Sequence, residues 1–177
     1  MGLDMYLTKD TYYGMYGDRT EIEAIAFPKG VKAERVESVT ERIAYWRKAN
    51  AIHGWFVRNV QDGEDDCGSY DVSTTQLREL VALCQRVLDG TETGSGEIAN
   101  GQSLENGKWA DIMEPGVVNL NPQFAASLLP VAAGFFFGST AYDEYYLDDL
   151  RETVDQLAPV LDEDGEHTTY YTYRASW

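Results

Sequence analysis

Cysteine is scarce in this chain: Cys67 and Cys84 are the two among 177 residues. That is too few for a disulfide framework, and reduced thiols are expected. Histidine is equally rare, with His53 and His167 alone. No paired-His metal motif, Cys–His couple or metal triad can be assembled, so no metal or cofactor is expected. Basic residues are outnumbered, 14 Lys and Arg against 30 Asp and Glu, for a formal charge of −16. Such a balance excludes an extended phosphate-tracking surface, and no direct nucleic-acid binding is expected. Long apolar runs are absent: the longest, Pro130 to Phe137, is far short of a membrane span. Met1 to Leu7 has neither a basic region nor a long apolar run, so no signal peptide is expected. Together these absences predict one domain, without membrane contact, in a cytoplasmic compartment.

What is abundant is aromatic. Twelve tyrosines and four tryptophans supply broad, rigid contact area with a polar tip. The spread of β-formers and periodic stretches predicts an α+β fold, an antiparallel or mixed sheet with three main helices packed on it. Leu3, Met5 and Leu7 alternate with Asp4 and Tyr6, the pattern of a half-buried strand. Tyr12 to Asp18 forms a turn-rich connection, and Glu21 to Phe27 a second strand. Ser38-Val-Thr-Glu41 matches a capping box and predicts a helix running to about Val60. On it, Ala49, Ile52, Phe56 and Val60 form an apolar stripe, with Trp46, Asn50 and His53 beside it and Arg47 one step round. An indole, an amide, an imidazole and a guanidinium on one face are the chemistry of a recognition site. A buried polar network that fixes the helix to the sheet would ask for similar residues.

Gln61 to Asp66 is acidic, but its spacing does not match a calcium loop. A short strand over Gly68–Val72 precedes a helix over Gln76–Leu88, with Ser73 or Thr74 as its cap. The apolar face of that helix makes Cys84 a core thiol, while Cys67 lies in a polar loop. Thr91 to Asn121 lacks periodicity; the region over about 91–129 reads as a variable insertion or lid, with Trp109, Ile112 and Met113 as anchors and a short helix over Asn121–Leu129. Gly134 to Thr140 predicts a central buried strand entering a helix from Tyr142 to Ala158. There Ser139 and Thr140 could contact an anion, although no Walker lysine is present and Asp143 and Glu144 would repel phosphate. Pro159 ends or kinks that helix. His167–Trp177 is expected to close the sheet as a strand, with His167 at the surface. Leu77-Arg-Glu and Leu150-Arg-Glu begin similar amphipathic helices, which need not be a duplication.

Gly2-Leu-Asp-Met-Tyr-Leu7, Tyr45-Trp-Arg-Lys-Ala-Asn50, Ile52-His53, Trp55-Phe-Val57, Gly134-Phe-Phe-Phe-Gly-Ser-Thr140, Tyr142-Asp-Glu144 and the ending Ser176-Trp177 resemble a family of small uncharacterised proteins from bacteriophages and prophages. The likeness covers both ends and the middle and omits Thr91 to Leu129. It implies a viral accessory protein in the host bacterial cytoplasm and transfers no activity. Joined to the residue chemistry, it predicts sequestration of a small nucleotide-like ligand, such as a host immune signal, by Trp46, Arg47, Asn50, His53, Ser139, Thr140 and Asp4. The pocket could lie at a subunit interface of a homo-oligomer. Two other functions fit the same residues: an acidic, tyrosine-rich inhibitor of a host protein, and a nucleotide hydrolase or transferase using His53 with Asp4 or Asp143.

Overall fold

The computed structural model describes residues 2–13, 20–105, 107–162 and 169–177. In chain order the elements are β1 (Asp4–Tyr12), α1 (Thr20–Glu23), β2 (Ser38–Arg47), α2 (Asn50–Asn59), β3 (Ser69–Val72), α3 (Thr74–Gly90), β4 (Thr93–Glu105), β5 (Lys108–Asn119), α4 (Pro122–Leu128), α5 (Glu144–Asp162) and β6 (Thr169–Ser176). The fold is α+β, with antiparallel pairing throughout both sheets.

The main sheet has the order β2-β1-β6-β3. Its period-two alternation sends one face inward. Leu3 and the strand residues Met5 and Leu7 are buried, as are Ala44 and Trp46 of β2, Val72 of β3, and Tyr171, Tyr173 and Ala175 of β6. Register lines these up in rows: Met5 opposes Trp46 on one side and Ala175 on the other, and Leu7 opposes Ala44 and Tyr173. The helices α2, α3 and α5 cover this face. Leu77, Leu80, Cys84 and Val87 of α3 join Leu147, Leu150 and Leu157 of α5 in the same core. Thus the two Leu-Arg-Glu helices pack on each other.

Four expected elements are different. The single helix over Ser38–Val60 is a strand, a sharp turn and a shorter helix. Ser38 and Glu41 cap nothing, because both lie in β2 and pair with β1. Ala44 and Trp46 are buried while Tyr45 and Arg47 are exposed, a period of two that identifies the strand. The capping box is at the start of α3: Gln76 N donates to Ser73 Oγ at 3.2 Å and Ser73 N donates to Gln76 Oε1 at 2.9 Å. In place of a strand over Glu21–Phe27 stands the single turn α1 followed by irregular chain. The stretch Thr91–Asn121, expected to lack regular structure, carries the long ribbon β4–β5. Its Trp109, Ile112 and Met113 do not anchor it in the core; they are 68%, 48% and 49% exposed. Finally, Gly134–Thr140 is an irregular loop, with Phe136 at φ 71° and Gly138 at φ 91°. Positive φ is incompatible with a strand. Pro159 lies inside α5 and does not end it. The expected placement of His167, and most of the turn expected between Tyr12 and Asp18, fall outside the described residues.

Candidate functional site

The turn between β2 and α2 sets the geometry. Arg47 ends β2, and Lys48 takes the left-handed conformation at φ 62° before Asn50 opens α2. Non-glycine residues adopt that conformation only when their surroundings hold them there. Here Lys48 N donates to Leu3 O at 2.8 Å, and Asn50 N donates to Lys48 O at 2.8 Å. The Gly134–Thr140 loop lies over this turn. Gly138 allows the approach: a Cβ on it would stand 3.1 Å from Lys48 Cβ, on a backbone already at positive φ.

Asn50 ties the loop down. Its amide, 4% exposed, donates to Phe137 O at 3.1 Å and Ser139 O at 2.7 Å, and its carbonyl accepts from Ala132 N at 3.2 Å. One side chain therefore satisfies three backbone groups of a segment without ladder partners of its own. His53, one helical turn on, is fully buried. Its Nδ1 is 2.8 Å from Tyr173 Oη and its Nε2 is 3.0 Å from Asp65 Oδ1. Phe137 meets the imidazole edge-on at 5.2 Å between centroids, and Trp177 packs at 5.5 Å. Burial holds the His53 pKa below its ordinary value, against the opposing pull of Asp65. A neutral ring follows, accepting from Tyr173 Oη at Nδ1 and donating to Asp65 from Nε2. The stretches Gly2–Leu7, Tyr45–Asn50, Ile52-His53, Gly134–Thr140 and Ser176-Trp177 thus converge on one region.

Beside that region is a cleft of about 1230 Å³. Tyr45, Arg47 and Lys48 form its β2 wall, and Gly138, Ser139 and Thr140 its loop wall. The α5 wall carries Asp143, Tyr145, Asp148, Asp149 and Glu152, and the ribbon contributes Ala99, Gly101, Gln102 and Asp111. The ribbon is pinned over α5: Val118 bridges to Asp143, Val117 N donates to Glu144 Oε2 at 2.9 Å, and Tyr145 Oη donates to Glu114 Oε1 at 3.1 Å. Asp143 caps α5, accepting from Tyr145 N at 3.1 Å and Tyr146 N at 3.3 Å. Asp149 is half-buried; desolvation, then Glu152, Asp148 and Asp143, push its pKa up to about 7.

Of the sequence-selected residues, Arg47, Asn50, Ser139 and Thr140 line this cleft. Trp46 is in the core, 1% exposed, with its Nε1 donating to Thr153 Oγ1 at 2.9 Å. His53 is sealed among Tyr173, Phe137 and Trp177, which removes the access an acid/base role requires. Asp4 accepts from Tyr45 Oη on the outer face of the sheet. Asp143, weighed as an acid/base partner, also lines the cleft, whereas Lys48, Tyr45, Tyr145, Asp148, Asp149 and Glu152 were missed. A period-two reading of residues 44–47 carries the signal for Tyr45, because it places Tyr45 and Arg47 on one side. Contacts from α5 and the ribbon carry no sequence signal at this distance.

Among the described residues, no group of three His, Cys, Asp or Glu is placed to hold a metal ion. Likewise no described helix is long and apolar enough to cross a membrane. Cys84 is a buried core thiol whose pKa is pushed up to about 12, which makes it a poor nucleophile. No family model, curated protein or solved structure matches the chain.

Proposed function

We propose that the cleft binds a small nucleotide-like ligand and holds it without turning it over. One observation carries this reading. Two adjacent cations, Arg47 and Lys48, line a cleft that Asp148, Asp149 and Glu152 also line, and no described carboxylate lies within ion-pair distance of either cation. A site that offers both unpaired cations and carboxylates suits a molecule that carries a phosphate and hydrogen-bond donors. Arg47 supplies a planar fork for phosphate, and Lys48 a mobile point charge. Ser139 and Thr140 add hydroxyls, and Tyr45 and Tyr145, whose hydroxyls donate to Asp4 and Glu114, add ring faces. The expected resemblance to phage proteins gives the binding a purpose: sequestering a host immune signal in the bacterial cytoplasm.

Native mass spectrometry before and after denaturation tests this reading. A co-purified small molecule, lost on denaturation and chemically unchanged, is the expected result. Isothermal titration with cyclic and ADP-ribose nucleotides should give heat. Its absence across the panel would remove the main support.

A second reading has its own observation. Leu104 and Trp109, paired across the ribbon near its tip, are 62% and 68% exposed. Exposed aromatic and aliphatic side chains of this size suit contact with a host protein. A pulldown comparing the wild-type protein with Trp109→Ser tests it.

A further inference from the structure

Resting on the nucleotide reading of the cleft, we propose that the ligand is a dinucleotide and that its second base stacks on the outer face of the main sheet at Tyr6, beside Arg174. The strands set this placement. Met5, Trp46, Tyr173 and Ala175 are buried in the core, so the alternate residues of β1, β2 and β6 point away from the helices. Register sets these in two rows: Arg47, Asp4 and Ser176, then Tyr45, Tyr6 and Arg174. Arg47, Tyr45 and Arg174 are exposed and Tyr6 is half-buried, so both rows are open to solvent. The rows begin at the cleft, because Arg47 and Tyr45 line it and also stand at the β2 end of each row. From β2 to β6 is two strand spacings, about 10 Å. A second nucleoside joined through a phosphate at Arg47 is therefore within reach of Tyr6 on the next strand.

The two rows have the chemistry of a stacking platform. The Tyr6 and Tyr45 rings meet at 5.3 Å between centroids, tilted by 43°. Tyr45 Oη donates to Asp4 Oδ1, which fixes the Tyr45 ring and engages the one carboxylate in these rows. Arg174 stands directly opposite Tyr6. No described carboxylate lies within ion-pair distance of Arg47 or Arg174. A chain with 30 acidic and 14 basic residues thus leaves two guanidinium groups unpaired around an aromatic pair. A guanidinium forks to phosphate or stacks on a base, and a tyrosine ring stacks on any base. Arg42 with Asp71, and then Asp10, stand in the two rows that follow on the same face. The carboxylates there disfavour the phosphates of a longer strand, which limits the ligand to two nucleotides.

The test is calorimetric titration of the full chain, at low salt, with AMP and with the linear 5′-phosphorylated dinucleotide pApA. The dinucleotide should bind at least about tenfold more tightly than AMP. Tyr6→Ala should remove that gain, of the size expected for stacking on one ring, and leave AMP affinity unchanged. It alters no charge, so the loss reports the ring. Tyr6→Phe keeps the ring and should retain the gain. Arg174→Ala should weaken pApA and not AMP by a similar factor, and it decides the outcome if Tyr6→Ala does not fold. Equal affinities for AMP and pApA in the wild type, or a gain that survives both alanine variants, overturn the second site while the cleft stands. A hexaadenylate that binds at least about tenfold more tightly than pApA overturns the dinucleotide in favour of a single strand. Sedimentation without ligand checks for a second copy: a dimer that Tyr6→Ala dissociates would occupy this face and overturn the proposal. If neither AMP nor pApA binds, the reading of the cleft fails, and this inference with it.

Discussion

Asn50 and His53 share one face in the sequence and have opposite relations to the cleft. Asn50 reaches the cleft and spends its amide on three backbone partners; His53 is closed off. Asn50→Ala should lower stability by about 2–4 kcal/mol, because it orphans part of the Ala132–Ser139 backbone, and denaturant unfolding would measure it. The His53 prediction depends on pH. Its folded pKa is depressed below the ordinary value, so the unfolded chain takes up the proton first as pH falls. Stability supplied by the neutral ring is therefore present above about pH 6.5 and lost as pH drops through the depressed folded value. Stability of the wild type should fall between pH 7 and pH 5, and His53→Gln should flatten that slope. Asp149 has the opposite sign. Its folded pKa is raised to about 7, so stability is lost as pH climbs from the ordinary carboxyl value to about 7 and levels off above it, and Asp149→Asn should stabilise the protein more at pH 8 than at pH 5, by about 1–3 kcal/mol at the higher pH. The sequence carried the residue types that meet around the turn, since Trp46, Arg47, Asn50 and His53 stand close together in the chain. It did not carry which of them point outward. That was decided by a strand-to-helix turn between Arg47 and Asn50, at a non-glycine residue with positive φ that no turn signal marks.

Among the elements, legibility followed the strength of the local pattern. The Ser73 cap, the apolar face of α3, Pro122 at the start of α4 and the alternation of β1 all act within a few residues, and all could be read. Segment 38–47 satisfies a capping-box pattern as well, but pairing with β1 along its whole length outweighs it. The Gly134–Thr140 loop shows the same override. Its three phenylalanines resemble a core strand, yet only Phe137 is buried; Phe135 is 81% exposed. The loop is held by Asn50 and by close approach to Lys48. Gly138→Ala should therefore cost about 1–3 kcal/mol, through left-handed strain and contact with Lys48, and should also disturb the cleft. Ser73→Ala, which removes a cap far from the cleft, should cost about 1 kcal/mol and leave ligand binding unchanged.

Across the whole molecule, the ribbon stands apart from the core and completes the cleft. None of its residues belongs to the main buried cluster, yet Ala99, Gly101, Gln102 and Asp111 form one wall. Its strands were illegible because glycines, amides and acids replace the usual β-formers along β4, and its register is set by pairing with β5. Replacing Thr93–Asn119 with a short linker should leave cooperative thermal unfolding of the remaining body and abolish nucleotide binding. The charge of −16 acts on the whole fold as well. Self-repulsion is screened by salt, so the melting temperature should rise by a few degrees from low salt to about 0.5 M. Salt should weaken a phosphate contact over the same range, which separates the body from its site. The most direct measurement of the central claim is calorimetric titration of AMP into the wild-type protein and into Arg47→Ala at pH 6 and low salt. Saturable binding by the wild type, reduced at least about tenfold in Arg47→Ala with an unchanged melting temperature, is the predicted result. Equal affinity in the two proteins, or no binding by the wild type, would contradict it.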